Sequence, residues 1–264
     1  MTEARAGGLP WDAVVPAASF TALLRSRGLE PRWTLPAEAA ALEAPEGTTV
    51  LAFRYADGVL MAGDRRATAG NVIAHRNLQK VFPADGLSAV AISGTAGIAI
   101  ELIRLFQTEL EHYEKLEGSR LSLEGKANHL AAMVRAQLPM AFQGLMVVPV
   151  FCGFDEGAGR GRLYSYDVVG GRYEETDFTA TGSGGPYAKA HLRGAFREGL
   201  GEDDALRVAV EALVAAAEED SATGGPDLQR GIYPNVVVIT AEGYREVAED
   251  RVADAARRAM GEVR

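Results

Sequence analysis

Residues 48–63 read TTVLAFRYADGVLMAG. The first run, 48–54, is β-branched and apolar. Ala56-Asp57-Gly58 is a turn signal, and 59–63 is apolar again. Two such runs around a short Asp-Gly turn predict a β-hairpin. The pattern sharpens at Thr48, and the organisation of the chain can be followed outward from there.

Downstream, residues 67–73 make a connection and 87–93 (LSAVAIS) form another apolar strand. Ser93-Gly94-Thr95-Ala96-Gly97 turns into a helix over about 98–116. There Ile98, Leu102, Leu105, Phe106, Leu110 and Tyr113 recur at helical spacing, and Gly118 is the stop. A second helix covers about 123–138. Strands follow at 146–154 and 161–167, and a further strand at 172–180. Helices come next at 186–196 and 204–219, then a strand at 234–241 and a last helix at 249–260. Hairpins alternating with paired helices predict an α+β sandwich with helices on the outer sheet faces. A strictly alternating parallel sheet fits less well.

Upstream, the first 47 residues differ. They hold Pro10, Pro16, Pro31, Pro36 and Pro45, and only 20–25 has a short amphipathic helical pattern. Such a segment reads as a flexible tail or as a removable propeptide.

The bulk properties narrow the class. With 264 residues, 47% hydrophobic and 24% charged, the chain can bury a substantial core. A net charge of -9 disfavours nucleic acid as a partner. The lone Cys152 lies in an apolar run, so no intramolecular disulfide can form. No apolar run approaches the ~20 residues of a membrane span. The N-terminus lacks a basic start followed by an apolar core, so a cytoplasmic, membrane-free protein is expected.

The chemistry converges on Thr48. A threonine hydroxyl is activated when a free α-amine beside it takes its proton; that amine has a reference pKa of about 7.7–8.0. Cleavage between Gly47 and Thr48 would expose it. Asp64 follows the second strand, and Lys80 lies in Asn77-Leu78-Gln79-Lys80-Val81. A lysine nearby lowers the amine's pKa by disfavouring a second positive charge, and a carboxylate keeps that lysine charged and placed.

Gly47-Thr48-Thr49-Val50, followed by Ala62-Gly63-Asp64-Arg65-Arg66-Ala67-Thr68, resembles the start of mature 20S proteasome β subunits. Ser93-Gly94-Thr95-Ala96-Gly97 resembles their oxyanion turn. Thr181-Gly182-Ser183-Gly184 and Asp220-Ser221-Ala222-Thr223-Gly224-Gly225 resemble two later motifs. The resemblance runs from Thr48 to the C-terminus and is of the actinobacterial type. One departure is Thr223, which stands where a serine is usual.

The resemblance implies a four-layer αββα sandwich of two antiparallel sheets flanked by helices, the N-terminal-nucleophile hydrolase fold. It implies a propeptide over 1–47, removed by self-cleavage, and a mature domain over 48–264. Thr48 would be nucleophile and, through its amine, base. Asp64 would orient Lys80, and the Gly94 N–H would hold the oxyanion. Ser183, Asp220 and Thr223 would support the amine and a proton-carrying water. Thr68 and Ala96 would pair with substrate backbone. Ala67, Leu78, Phe82, Ile92, Ala96 and Ile100 would line an apolar pocket, favouring cleavage after apolar residues. The implied partners are seven-fold rings of this chain, α-subunit rings and, through them, an ATP-driven unfoldase acting on polypeptides.

Other signals carry less. The four histidines show no ligand spacing, and no metal or cofactor is expected. The glycines of 157–161 lack dinucleotide-loop spacing, and Ser183 is not in a G-x-S-x-G elbow. Two competing readings are another N-terminal-nucleophile hydrolase, such as a simpler two-ring peptidase or an amidase, and a non-catalytic ring scaffold. The retained Gly47-Thr48, Asp64 and Lys80 argue against the scaffold.

Overall fold

The computed structural model describes residues 47–70 and 72–261. Residues 1–46, including the helical pattern at 20–25, lie outside the described residues.

The expected hairpin is β1 (Thr49–Tyr55) and β2 (Gly58–Gly63), paired from Val50↔Gly63 to Tyr55↔Gly58. Period-2 geometry sends its side chains to opposite faces, and both faces are covered. Leu51, Phe53, Leu60 and Ala62 enter one core; Val50, Ala52, Val59 and Met61 enter another. That double burial is why the hairpin reads as continuous apolar runs rather than as alternation.

β11 (Asn235–Thr240) pairs with β2, and β12 (Gly243–Glu246) pairs with β11. β10 (Phe178–Gly182) adds to the other side of β1, completing a five-stranded antiparallel sheet in the order β10-β1-β2-β11-β12. The second sheet runs β5-β6-β7-β8-β9, with β5 (Val81–Asp85), β6 (Ser88–Gly94), β7 (Val147–Asp155), β8 (Arg160–Tyr166) and β9 (Arg172–Glu175). The sheets meet through Val50, Met61, Ala91, Val150, Cys152 and Ile239.

Helices cover the outer faces. α1 (Ala96–Glu117) and α2 (Leu123–Ala136) pack Leu102, Ile103, Phe106 and Leu130 on the second sheet. A short α3 (Leu138–Ala141) follows. α4 (Gly185–Ala195), α5 (Glu202–Glu219) and α6 (Glu249–Ala259) cover the first sheet with Leu192, Leu213 and Val252. The four layers are helix, sheet, sheet, helix, as expected. Among the described residues no helix is long and apolar enough to cross a membrane.

Local details depart from the sequence reading. Residues 67–73 hold most of a small hairpin, β3 (Ala67–Ala69) with β4 (Val72–His75), rather than a plain connection. β5 was not anticipated; it contains Pro83, which an edge strand tolerates. The strand expected over 172–180 is two: β9 closes the second sheet and β10 joins the first. In the stripe expected on α1, Leu105 is 50% exposed and Tyr113 38%.

Candidate active site

Hairpin register alone carries Asp64 to the start of β1. The Asp64 N–H donates to the Thr49 carbonyl (3.0 Å), and the Thr49 N–H donates to Asp64 Oδ1 (2.7 Å). Oδ2 receives the N–H groups of Arg66 (2.9 Å) and Gly224 (2.8 Å). Lys80 arrives from the segment leading into β5 and places Nζ 2.6 Å from Asp64 Oδ1, both side chains buried. Such a pair is costly to desolvate and persists only with its remaining hydrogen-bonding groups satisfied. Here they are: Nζ also donates to the Gly47 carbonyl (3.1 Å) and to the Arg66 carbonyl. Burial holds the Lys80 ammonium below the usual lysine value, against the opposing pull of Asp64.

The Gly47 carbonyl oxygen is therefore a focus of the site. It accepts from Lys80 and from Thr48 Oγ1 (2.8 Å). Gly47 has φ 122°, and a Cβ there would lie 2.4 Å from Thr68 Oγ1 and 3.0 Å from the Ala222 carbonyl. Glycine is required by its neighbours 68 and 222 as well as by its backbone angle.

A second group approaches from the end of α5. Asp220 follows the helix and accepts from Thr223 Oγ1 (2.5 Å) and the Ala222 N–H (3.2 Å). Burial pushes its carboxyl up, but hydrogen bonds from Ser183, Thr223 and Ala222 outweigh that and hold it below the usual carboxylate range. Thr223 Oγ1 lies 2.6 Å from Thr49 Oγ1, which in turn accepts from the Gly184 N–H (3.0 Å). Thr223, in place of serine, is fully buried and keeps the hydroxyl contact to Asp220.

Gly94 closes β6, with φ 109°, and a Cβ there would lie 2.1 Å from the Met146 carbonyl. Its neighbour Ser93 has Oγ 3.3 Å from Thr181 Oγ1 on β10, so the ends of β6 and β10 meet. The structure thus brings Thr48 and Lys80 together at the Gly47 carbonyl with Asp64 paired to Lys80, and gathers Ser183 and Thr223 on Asp220, with Thr223 in contact with Thr49.

Of the six residues expected to line a pocket, Leu78, Phe82 and Ile92 flank Lys80 by sequence or backbone pairing. Ala67 begins β3, and the Leu78 N–H bonds to the Arg65 carbonyl (2.9 Å). Phe82 lies on β5, and the Ile92 N–H on β6 bonds to the Lys80 carbonyl (3.3 Å). Ala96 and Ile100 stand one turn apart on α1. Ala67, Ile92 and Thr68 are buried, while Leu78, Phe82, Ala96 and Ile100 are half-buried. Among the described residues no group of His, Cys, Asp and Glu could hold a metal ion.

Two residues escaped sequence reasoning. Thr49 was read as strand and as part of a motif, with no role of its own, yet it ties Asp64, Gly184 and Thr223 together. Arg66 was read as part of a motif, yet its Nη1 donates to the carbonyls of Ser221 (3.1 Å) and Thr223 (3.2 Å), while its own backbone contacts Asp64 and Lys80. Nothing in the sequence separates it from Arg65, which turns instead to Tyr233 and Asn235.

The proteasome subunit family matches residues 44–227. A proteasome subunit beta of Streptomyces griseus is 51% identical over 255 residues, 95% of this chain and 91% of that protein. One from Acidothermus cellulolyticus is 56% identical over 237 residues, 88% of this chain and 82% of that protein. One from Acidimicrobium ferrooxidans is 56% identical over 214 residues, 81% of this chain and 78% of that protein. With most of the chain matched at such identity, and with the threonine, aspartate and lysine brought together, the chain belongs to the proteasome subunit family.

Proposed function

We propose that this chain is the catalytic β subunit of a 20S proteasome, a threonine endopeptidase made as a precursor. The observation that carries the reading is the Gly47 carbonyl, held between Thr48 Oγ1 and the Lys80 ammonium. In the precursor the Thr48 nitrogen is an amide and cannot act as a base. Thr48 Oγ attacks the Gly47 carbonyl carbon, and the oxygen takes up negative charge beside Lys80 Nζ. Collapse breaks the Gly47–Thr48 C–N bond; the Oγ proton ends on the departing nitrogen and an ester joins Gly47 to Oγ. Water hydrolyses the ester, releasing residues 1–47 and leaving mature residues 48–264 with a free amine.

In the mature enzyme that amine takes the Oγ proton. Thr48 Oγ attacks a peptide carbonyl, and the Gly94 N–H stabilises the oxyanion, a contact that can lower a barrier by about 3 kcal/mol. Lys80 keeps the amine from protonating, and Asp64 orients Lys80. Ser183, Asp220 and Thr223 support the amine and the water that hydrolyses the acyl-enzyme. The substrate strand pairs with Thr68 and Ala96. Ala67, Leu78, Phe82, Ile92, Ala96 and Ile100 favour an apolar side chain, since a charged one would enter unpaired.

The family implies assembly with other subunits into a proteasome core. We extend this to seven-fold rings of this chain stacked on α rings, in the cytoplasm, fed with unfolded polypeptide by an ATP-driven ring. Thr48→Ala is the test: it should retain residues 1–47 and hydrolyse no peptide. An N-terminus at residue 48 in that variant, seen by mass spectrometry, would refute self-cleavage. Faster hydrolysis after Arg or Asp than after Leu or Tyr would refute the specificity.

A further inference from the structure

The nucleophile and the oxyanion donor of the proposed mechanism stand on different sheets. Thr48 leads into β1 of the first sheet, and Gly94 closes β6 of the second. Each is fixed within its own sheet. β1 pairs with β10 at Thr49↔Gly182, and a Cβ at Gly182 would lie 1.7 Å from the Thr48 carbonyl oxygen. β6 pairs with β7 at Ser93↔Val148 and Gly94↔Val147, and the next residue, Thr95, donates its N–H to the Met146 carbonyl (2.8 Å). Among the described residues a single side-chain hydrogen bond joins strands of the two sheets. It links Ser93 Oγ to Thr181 Oγ1 at 3.3 Å. Ser93 is 5% exposed, and its Oγ also lies 3.1 Å from the Val148 carbonyl oxygen. A carbonyl can only accept, so Ser93 donates there, and the Thr181 hydroxyl donates to Ser93 Oγ.

We infer that Ser93 is a positioning residue that, through Thr181, sets the distance between the Thr48 hydroxyl and the Gly94 N–H. The inference rests on the reading of Thr48 as nucleophile and Gly94 as oxyanion donor. The path between them is short and continuous. Thr48 packs on Gly182, Thr181 precedes Gly182 in the chain, and Ser93 precedes Gly94. The apolar contacts between the sheets are non-directional, whereas a hydrogen bond fixes relative position. The oxyanion forms only as Thr48 Oγ attacks. An error in this distance therefore weakens the transition state and leaves substrate binding intact. Ser93 acts through the backbone that follows it and touches no substrate.

The test uses the matured, assembled particle carrying Ser93→Ala or Thr181→Val, the second of which keeps the threonine shape and removes its hydroxyl. Each should lower kcat about 10-fold and leave KM unchanged, as expected for an interaction made only in the transition state. The acid limb of the pH profile should stay in place, because the amine is untouched. Thr181→Ser, which keeps the hydroxyl, should keep the parental kcat. Since the two residues form one bond, the double variant should lose no more than the greater single loss. A peptide aldehyde adds a second readout. Thr48 Oγ adds to its carbon, and the adduct oxygen lies at the Gly94 N–H. The aldehyde should bind each variant about 10-fold more weakly, while a peptide amide of the same sequence, which forms no adduct, should bind as in the parent. Unchanged kcat, a rise in KM in place of a fall in kcat, a shifted acid limb, multiplied losses in the double variant, or equal weakening of aldehyde and amide overturns the inference. If Ser93→Ala does not assemble, Thr181→Val and Thr181→Ser decide alone, since Thr181 is only half-buried. An aldehyde that forms no adduct with Thr48 in the parent overturns the reading of the nucleophile. A normal parental adduct with unmoved variants overturns only the role of Ser93.

Discussion

The candidate site was legible where the chain is local and obscure where it is not. Asp64 reaches Thr49 because a tight hairpin returns it there, and a turn signal announces that return. Thr49 meets Thr223 across 174 positions, and Arg66 meets that turn across 157, which no local pattern reports. Arg66→Ala should loosen the turn that holds Asp220 and reduce peptide hydrolysis about 10-fold, the equivalent of one charge-assisted hydrogen bond; unchanged kcat/KM would sink that role. Gly47→Ala meets a forbidden angle and the Thr68 side chain at once, so the precursor should accumulate unprocessed on a gel. Asp220 supplies a pH dependence. Its folded pKa lies below the ordinary carboxylate value of about 3.9. Its stabilising contribution is thus complete above that value and is lost as pH falls through the folded one. Thermal unfolding from pH 7 to 2 should show a shallower acid loss in Asp220→Asn than in the parent.

At the scale of elements, periodicity located the helices well and the partners of strands poorly. α1 ends at Gly118, whose φ of 66° lets its N–H cap the Glu114 carbonyl, so the stop was readable as a glycine after a helical run. The stripe on that helix was over-read. Leu105 and Phe106 are adjacent and both apolar, but Phe106 is fully buried against Phe151 and Leu105 faces outward. The core stripe of Ala99, Leu102, Ile103, Phe106 and Leu110 excludes Leu105 by angle alone. Phe106→Ala should cost about 3–5 kcal/mol. Leu105→Ala should change the subunit's own stability by less than about 1 kcal/mol. Equal losses of denaturation midpoint in the two variants would contradict this packing. The break between β9 and β10 was illegible for a different reason: residues on both sides suit strands, and only the sheet each joins distinguishes them.

At the scale of the molecule, two sheets converge so that the start of β1, the end of β10 and the end of β6 share one end of the sandwich. Among the described residues, the hairpin, both sheets and the helices bury their faces in three cores drawn from residues 50–259. The segment 1–47 has a chemical effect on the proposed site: it keeps the Thr48 nitrogen acylated. Two consequences follow for the assembled particle. Peptide hydrolysis by newly mixed α and β subunits should begin only as the N-terminus at residue 48 emerges, and the two should rise together in one time course. A β chain produced to begin at Thr48 should, once assembled, hydrolyse peptides without that lag. Hydrolysis that precedes cleavage, read by mass spectrometry of samples quenched along the time course, would mean that the amine is not the base. A lag that persists in the shortened chain would instead locate the slow step in assembly. Either result would move the switch away from the Gly47–Thr48 bond.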